Sequence, residues 1–121
     1  MNNFENFDNN KKCEKDEHVH ELTGSTGFFT ECGECHNHRF CTVSGKAMEK
    51  GNSHVHEVKF RTDFTDGHSH EFCGKTGPAI YVGNGKHVHF LKSVTEEADG
   101  HKHKFQVATL IEDPTKFEYC D

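Results

Sequence analysis

The chain has 121 residues, with 14 Lys and Arg against 20 Asp and Glu, so its formal charge is −6 when the 12 histidines are neutral. That length suits one domain, and the acidic balance leaves no basic face for a nucleic-acid backbone. No apolar run approaches the roughly 20 residues of a membrane span. Leu, Ile, Val and Phe are also too few for an ample core, so a fold this size needs staples: disulfides, metal ions or partner subunits.

Residues 1–16, MNNFENFDNNKKCEKD, have no period and read as a flexible N-terminal arm carrying Cys13; residues 17–121 read as a single repeat domain. The arm does not have the pattern of a secretory leader. The expected location is therefore the cytoplasm, or a spore or cell surface reached by a leaderless route. From Glu17 onward all 12 histidines fall into six His-x-His pairs: His18/His20, His36/His38, His54/His56, His68/His70, His87/His89 and His101/His103. By their text, HVHELTGSTG, HNHRFCTVSG and HSHEFCGKTG form one type of unit. HVHEVKFRTDFTDG and HVHFLKSVTEEADG form another, and the later part repeats with a period of 33 (54 to 87, 68 to 101). Asp66-Gly67, Asp99-Gly100 and Gly83-Asn84-Gly85 are turn signals between short runs of Val, Phe, Thr and His. Only Lys46 to Lys50 hints at a helical turn. The expected fold is all-β, a sandwich, small barrel or solenoid of hairpins.

Side-chain parity says which way the histidines face. Residues i, i+2 and i+4 of a strand share one side. The residues four after the first His of each pair are Leu22, Phe40, Val58, Phe72, Leu91 and Phe105, all apolar. The histidines therefore lie on the inward face. Two such rings start about 7 Å apart at the backbone and can converge on one ion. One pair is half a site: two strands giving four nitrogens suit Zn²⁺ or Cu²⁺, and three chains giving six suit Fe²⁺, Ni²⁺ or Co²⁺. The bland alternative is a hydrogen-bonded interior with no metal.

Cys41 and Cys73 follow the Phe of matching units and would meet if those units stack, as a disulfide or as shared ligands. Cys13 and Cys120 lie near the two ends, where cross-links between subunits form most easily. Cys32-Gly33-Glu34-Cys35-His36 matches the c-type haem pattern, with His36 as axial ligand. Cys32 and Cys35 could equally bind a metal ion beside neighbouring histidines, or form a local disulfide. A cupin-type enzyme is not indicated, since no pair is followed by a Glu four or five residues after its second His. There is no Gly-x-Ser-x-Gly, phosphate loop or His-Glu-x-x-His either. Ligands that recur along a chain suit storage or scaffolding better than one asymmetric catalytic site.

HVHELTGSTG, HSHEFCGKTGPAI, the Asp-Gly-His-x-His-x-Phe phrases at 66–72 and 99–105, and Gly85-Lys86-His87-Val88-His89 resemble the YmaF-like His-rich proteins of Firmicutes, over about Glu17 to Leu110. The resemblance implies a bacterial origin and no particular activity. The His-x-His phrase is also similar to phage tail-fibre tips, where such strands from three chains surround iron. The expectation is a non-enzymatic, metal-binding structural protein that self-associates, in a fibre or in a spore or cell-surface layer. The alternatives are a soluble buffer for Zn, Ni or Cu, and a small c-type haem carrier.

Overall fold

Strand-forming residues between Gly, Asp and Asn turns produce eight strands and no helix among the residues that the computed structural model describes, 18–29 and 35–115. The arm at 1–16 lies outside them. The strands are β1 (Glu21–Ser25), β2 (Arg39–Val43), β3 (Ala47–Lys50), β4 (Ser53–Arg61), β5 (Glu71–Lys75), β6 (Ala79–Gly83), β7 (Lys86–Val94) and β8 (Lys104–Ala108). They form three small antiparallel sheets, β1-β2, β3-β4-β5 and β6-β7-β8, with no closed barrel. Each sheet contains one central hairpin: β1–β2, β4–β5 or β7–β8.

The hint of a helix at Lys46 to Lys50 is overturned. Ala47, Met48, Glu49 and Lys50 pair with His56, Val55, His54 and Ser53 across a tight turn at Gly51, whose φ is 61°. A single helical turn has no cooperativity to set against a ready sheet edge. The Asp-Gly signals behave as expected. Asp66-Gly67 and Asp99-Gly100 take positive φ at both residues, the two-residue geometry that matches strand twist.

In each hairpin the two histidine pairs stand at opposite ends, because each pair precedes or opens its strand and the strands run antiparallel. The apolar residues fill the space between. Leu22, Val58 and Leu91 come from the first strands, and Phe40, Phe72 and Phe105 from the second, joined by Phe60 and Val107. Phe60 stacks on Phe40 at 4.1 Å between centroids, while Phe105 meets both rings edge-on at 5.3–5.4 Å. A Cβ on Gly74 would lie 2.6 Å from Phe72 Cζ, so the ring occupies the space of the missing side chain.

The hairpins also bond to one another. Six backbone N–H groups, of Gly27, Gly45, Asp63, Gly77, Glu96 and Leu110, donate to Lys104, Glu57, Arg39, Phe90, Glu71 and Glu21 of a neighbouring hairpin. These links join first to third, second to first and third to second, closing a ring of three with approximate threefold symmetry. The text-based grouping of units changes accordingly. The unit at His18 carries a first strand, like those at 54 and 87, and the units at 36, 68 and 101 carry the second strands.

Candidate metal centre

The ring of hairpins gathers the twelve histidines into two clusters, one at each end of the apolar core. His18, His20, His54, His56, His87 and His89 form cluster 1, with ligand atoms all within 4.8 Å of one another. His36, His38, His68, His70, His101 and His103 form cluster 2, which divides into two overlapping quartets sharing His68 and His103. The arrangement with six nitrogens was expected to draw on three chains. Here three hairpins of one chain supply them.

Both clusters have octahedral order. In cluster 1 each ring stands edge-to-face to four others, at centroid distances of 4.5–5.1 Å. The fifth ring lies across the centre: His18 opposes His89, His54 opposes His20, and His87 opposes His56. Cluster 2 repeats the scheme at 4.7–5.2 Å, with His36 opposite His70, His68 opposite His103, and His101 opposite His38. The Nε2 atoms of His18, His20 and His54 are each 3.1 Å from His87 Nε2. Adjacent corners of an octahedron are √2 bond lengths apart, so this edge implies metal–nitrogen bonds of about 2.2 Å; tetrahedral Zn²⁺ would need an edge of roughly 3.3 Å.

The outer nitrogens decide what the inner ones carry. The second His of every pair turns Nδ1 to a backbone carbonyl: His20 to Leu110 (2.8 Å), His38 to Asp63 (3.1 Å), His56 to Gly45 (2.8 Å), His70 to Glu96 (3.0 Å), His89 to Gly77 (2.9 Å) and His103 to Gly27 (2.9 Å). A carbonyl only accepts, so Nδ1 holds the proton and Nε2 presents a lone pair to the centre. His68 and His101 likewise donate to Asp66 and Asp99 carbonyls at 3.1 Å. His68 Nε2 then stands 3.2 Å from both His38 Nε2 and His101 Nε2, lone pair against lone pair. The Nε2 atoms of His56, His70 and His89 are buried with no hydrogen-bond partner at all. Buried acceptors left so cost about 1–3 kcal/mol each. A cation at the centre of each cluster would satisfy His56 and His89 at one end and His70 at the other.

Burial also favours the neutral form of seven of these imidazoles. It lowers His56 to about 3, and His87 and His103 to about 4, with neighbouring imidazoles adding repulsion. His20, His36, His70 and His89 are lowered for the same first reason.

A second feature, missed from sequence, holds the rings in place. Thr26, Ser44, Thr62, Thr76, Thr95 and Thr109 are buried. Their hydroxyls accept the backbone N–H of His38, His20, His70, His56, His103 and His89 at 2.9–3.1 Å. The carbonyl just after each hydroxyl residue receives a histidine Nδ1–H from the adjacent hairpin. The signal was present: a Ser or Thr stands eight residues after the first His of every pair. Carboxylates add to this outer layer. Glu112 Oε1 accepts His87 N–H at 3.0 Å, and Oε2 lies 3.2 Å from His87 Nδ1. Burial pushes the Glu112 carboxyl up, but that backbone hydrogen bond leads the effects that hold it below its usual range. Asp66 and Asp99 reach His36 and His68 Nδ1 at 3.5 Å.

The cysteine expectations fare differently. Cys41 and Cys73 are exposed free thiols and do not meet. They sit on equivalent strands of different hairpins, one residue past the inward Phe, and parity turns them outward. Cys35 is also exposed, free and outside both clusters. Cys13, Cys32 and Cys120 lie outside the described residues. His36 is buried, with Nε2 3.1 Å from His101 Nε2 in cluster 2, so the axial-ligand role in a c-type haem is lost to the cluster. No helix among the described residues is long and apolar enough to cross a membrane.

Fold and site together define an all-β His-x-His repeat protein with two six-histidine centres that could each hold a metal ion. Residues 15–111 match the model of the family YmaF, described as spore germination protein GerY/YamF, and the chain belongs to that family. No curated protein and no solved structure matches the chain.

Proposed function

We propose that the chain is a non-enzymatic structural protein of the spore, its three hairpins stapled by two divalent ions, one in each cluster. The observation that carries this reading is the convergence of buried Nε2 lone pairs at 3.1–3.2 Å, an arrangement that repels itself without a cation. Six protein nitrogens complete an octahedral shell and leave no open position for water or substrate, the mark of a structural rather than a catalytic metal. Such a shell suits Fe²⁺, Co²⁺ or Ni²⁺ better than tetrahedral Zn²⁺ or tetragonal Cu²⁺. The spore assignment follows the family description. Self-association into a fibre or layer is not needed to complete either centre and is the separable part of the reading. The second reading, a soluble metal buffer, is disfavoured because ions buried behind ordered ligands exchange slowly.

Elemental analysis of untagged protein, purified from its native source without metal-affinity steps, should give two ions of one element per chain. Loaded with Co²⁺, the protein should show the weak visible bands of six-coordination. No bound metal, or the intense bands of tetrahedral Co²⁺, overturns the proposal. Complete exchange of the ions with a chelator within seconds would favour the buffer. Size-exclusion chromatography with and without chelator tests self-association.

A further inference from the structure

Neither centre owns a hairpin. The first hairpin gives His18/His20 to cluster 1 and His36/His38 to cluster 2; the second divides His54/His56 from His68/His70, and the third His87/His89 from His101/His103. Between the two ends lies the packed layer of Leu22, Val58, Leu91, Phe40, Phe72 and Phe105, so each hairpin tilts as one body. Within each cluster, cross-links also tie one hairpin to the next. The Thr76 hydroxyl accepts the N–H of His56 in its own hairpin, while the next carbonyl, of Gly77, accepts the ring N–H of His89 in the neighbouring one.

We infer that the two centres load cooperatively, a divalent ion at either end preparing the other. This rests on the reading of both clusters as six-coordinate metal sites. An ion drawn to one end fixes the spacing and rotation of all three hairpins. The ordering it imposes is then already in place for the second ion, which binds more tightly by that saving. The same coupling acts on release, so that loss of one ion loosens the ligands of the other.

The test is a Co²⁺ titration of the chelator-treated full-length chain, with ions per molecule counted by native mass spectrometry. A coupling of about 100-fold would leave roughly one chain in ten singly loaded at half-saturation, whereas independent sites would leave about half. A singly loaded fraction near one half overturns the inference and leaves the metal-binding reading intact. Failure of the wild-type chain to bind Co²⁺ overturns both. As a second measurement, His54→Gln removes one ligand of cluster 1. It should weaken Co²⁺ binding at the intact cluster 2 by at least several-fold, and wild-type affinity there would overturn the inference.

Discussion

Replacing Thr76 with Val tests whether the six buried hydroxyls organise the metal centres. The substitution keeps the shape of the side chain and removes its oxygen. Thr76 Oγ1 accepts His56 N–H at 3.1 Å and donates to the Gly77 carbonyl at 2.8 Å. The Gly77 carbonyl keeps its hydrogen bond from His89 Nδ1, and Thr76 N–H keeps the His56 carbonyl at 2.9 Å. What is orphaned is the buried His56 N–H, at a cost of about 1–3 kcal/mol. For a domain of this size about 2 kcal/mol lowers Tm by roughly 10 °C. The loss should appear with and without metal, because the hydroxyl bonds the backbone N–H of His56 and not a ligand nitrogen. Affinity at cluster 1 should also fall about 10–100-fold, as when an outer-layer partner of a metal ligand is removed. Thermal unfolding by circular dichroism and competition with a chromogenic chelator measure the two effects. Thr76→Ser is the internal control, since Ser44 fills the equivalent place, and it should remain close to wild type. A Thr76→Val protein within about 0.5 kcal/mol of wild type, or a Thr76→Ser protein as damaged as the valine variant, would refute the reasoning.

Acid should destabilise the metal-free protein. His56 near 3 and His87 and His103 near 4 lie below their unfolded value of about 6.5. Their contribution is therefore fully present above pH ~6.5 and is lost as pH falls toward 4. Chelator-treated protein should unfold through that window in a pH titration, and a flat stability profile would contradict it. Gly74→Ala forces a Cβ to within 2.6 Å of Phe72 Cζ and should cost about 1–3 kcal/mol in denaturant unfolding. Gly77→Ala, whose nearest contact is 3.4 Å, should cost less; a reversed order would show that the core ring yields freely. Cys41 and Cys73 should both react with a thiol reagent in the folded, metal-loaded protein, which mass spectrometry reads directly. Protection of either would contradict their exposure.

Much of this site was legible in the residues. Period-two alternation puts His18, His20 and Leu22 on one face wherever the strand lies, so the inward direction of all twelve imidazoles follows from parity alone. The all-β class followed from turn residues spaced a few strand residues apart. The short segment at Ala47–Lys50 misled, because its state is set by the partner β4 and not by its own propensity. Which pairs share an ion was not legible either. Cluster membership depends on strand direction: antiparallel pairing sends His18/His20 and His36/His38 to opposite ends, and text similarity instead groups them together. Three hairpins of one chain close the ring, so six nitrogens meet without a second subunit. Glu112 belongs to no repeat, and only the path of the chain after β8 brings its carboxylate to His87. The sequence by itself determined the ligand type, its facing and its repetition, since these depend on backbone geometry within a few residues. Tertiary structure decided the partition into two octahedral groups and the tautomer of the second ring of each pair, because both depend on which distant carbonyl or imidazole stands opposite.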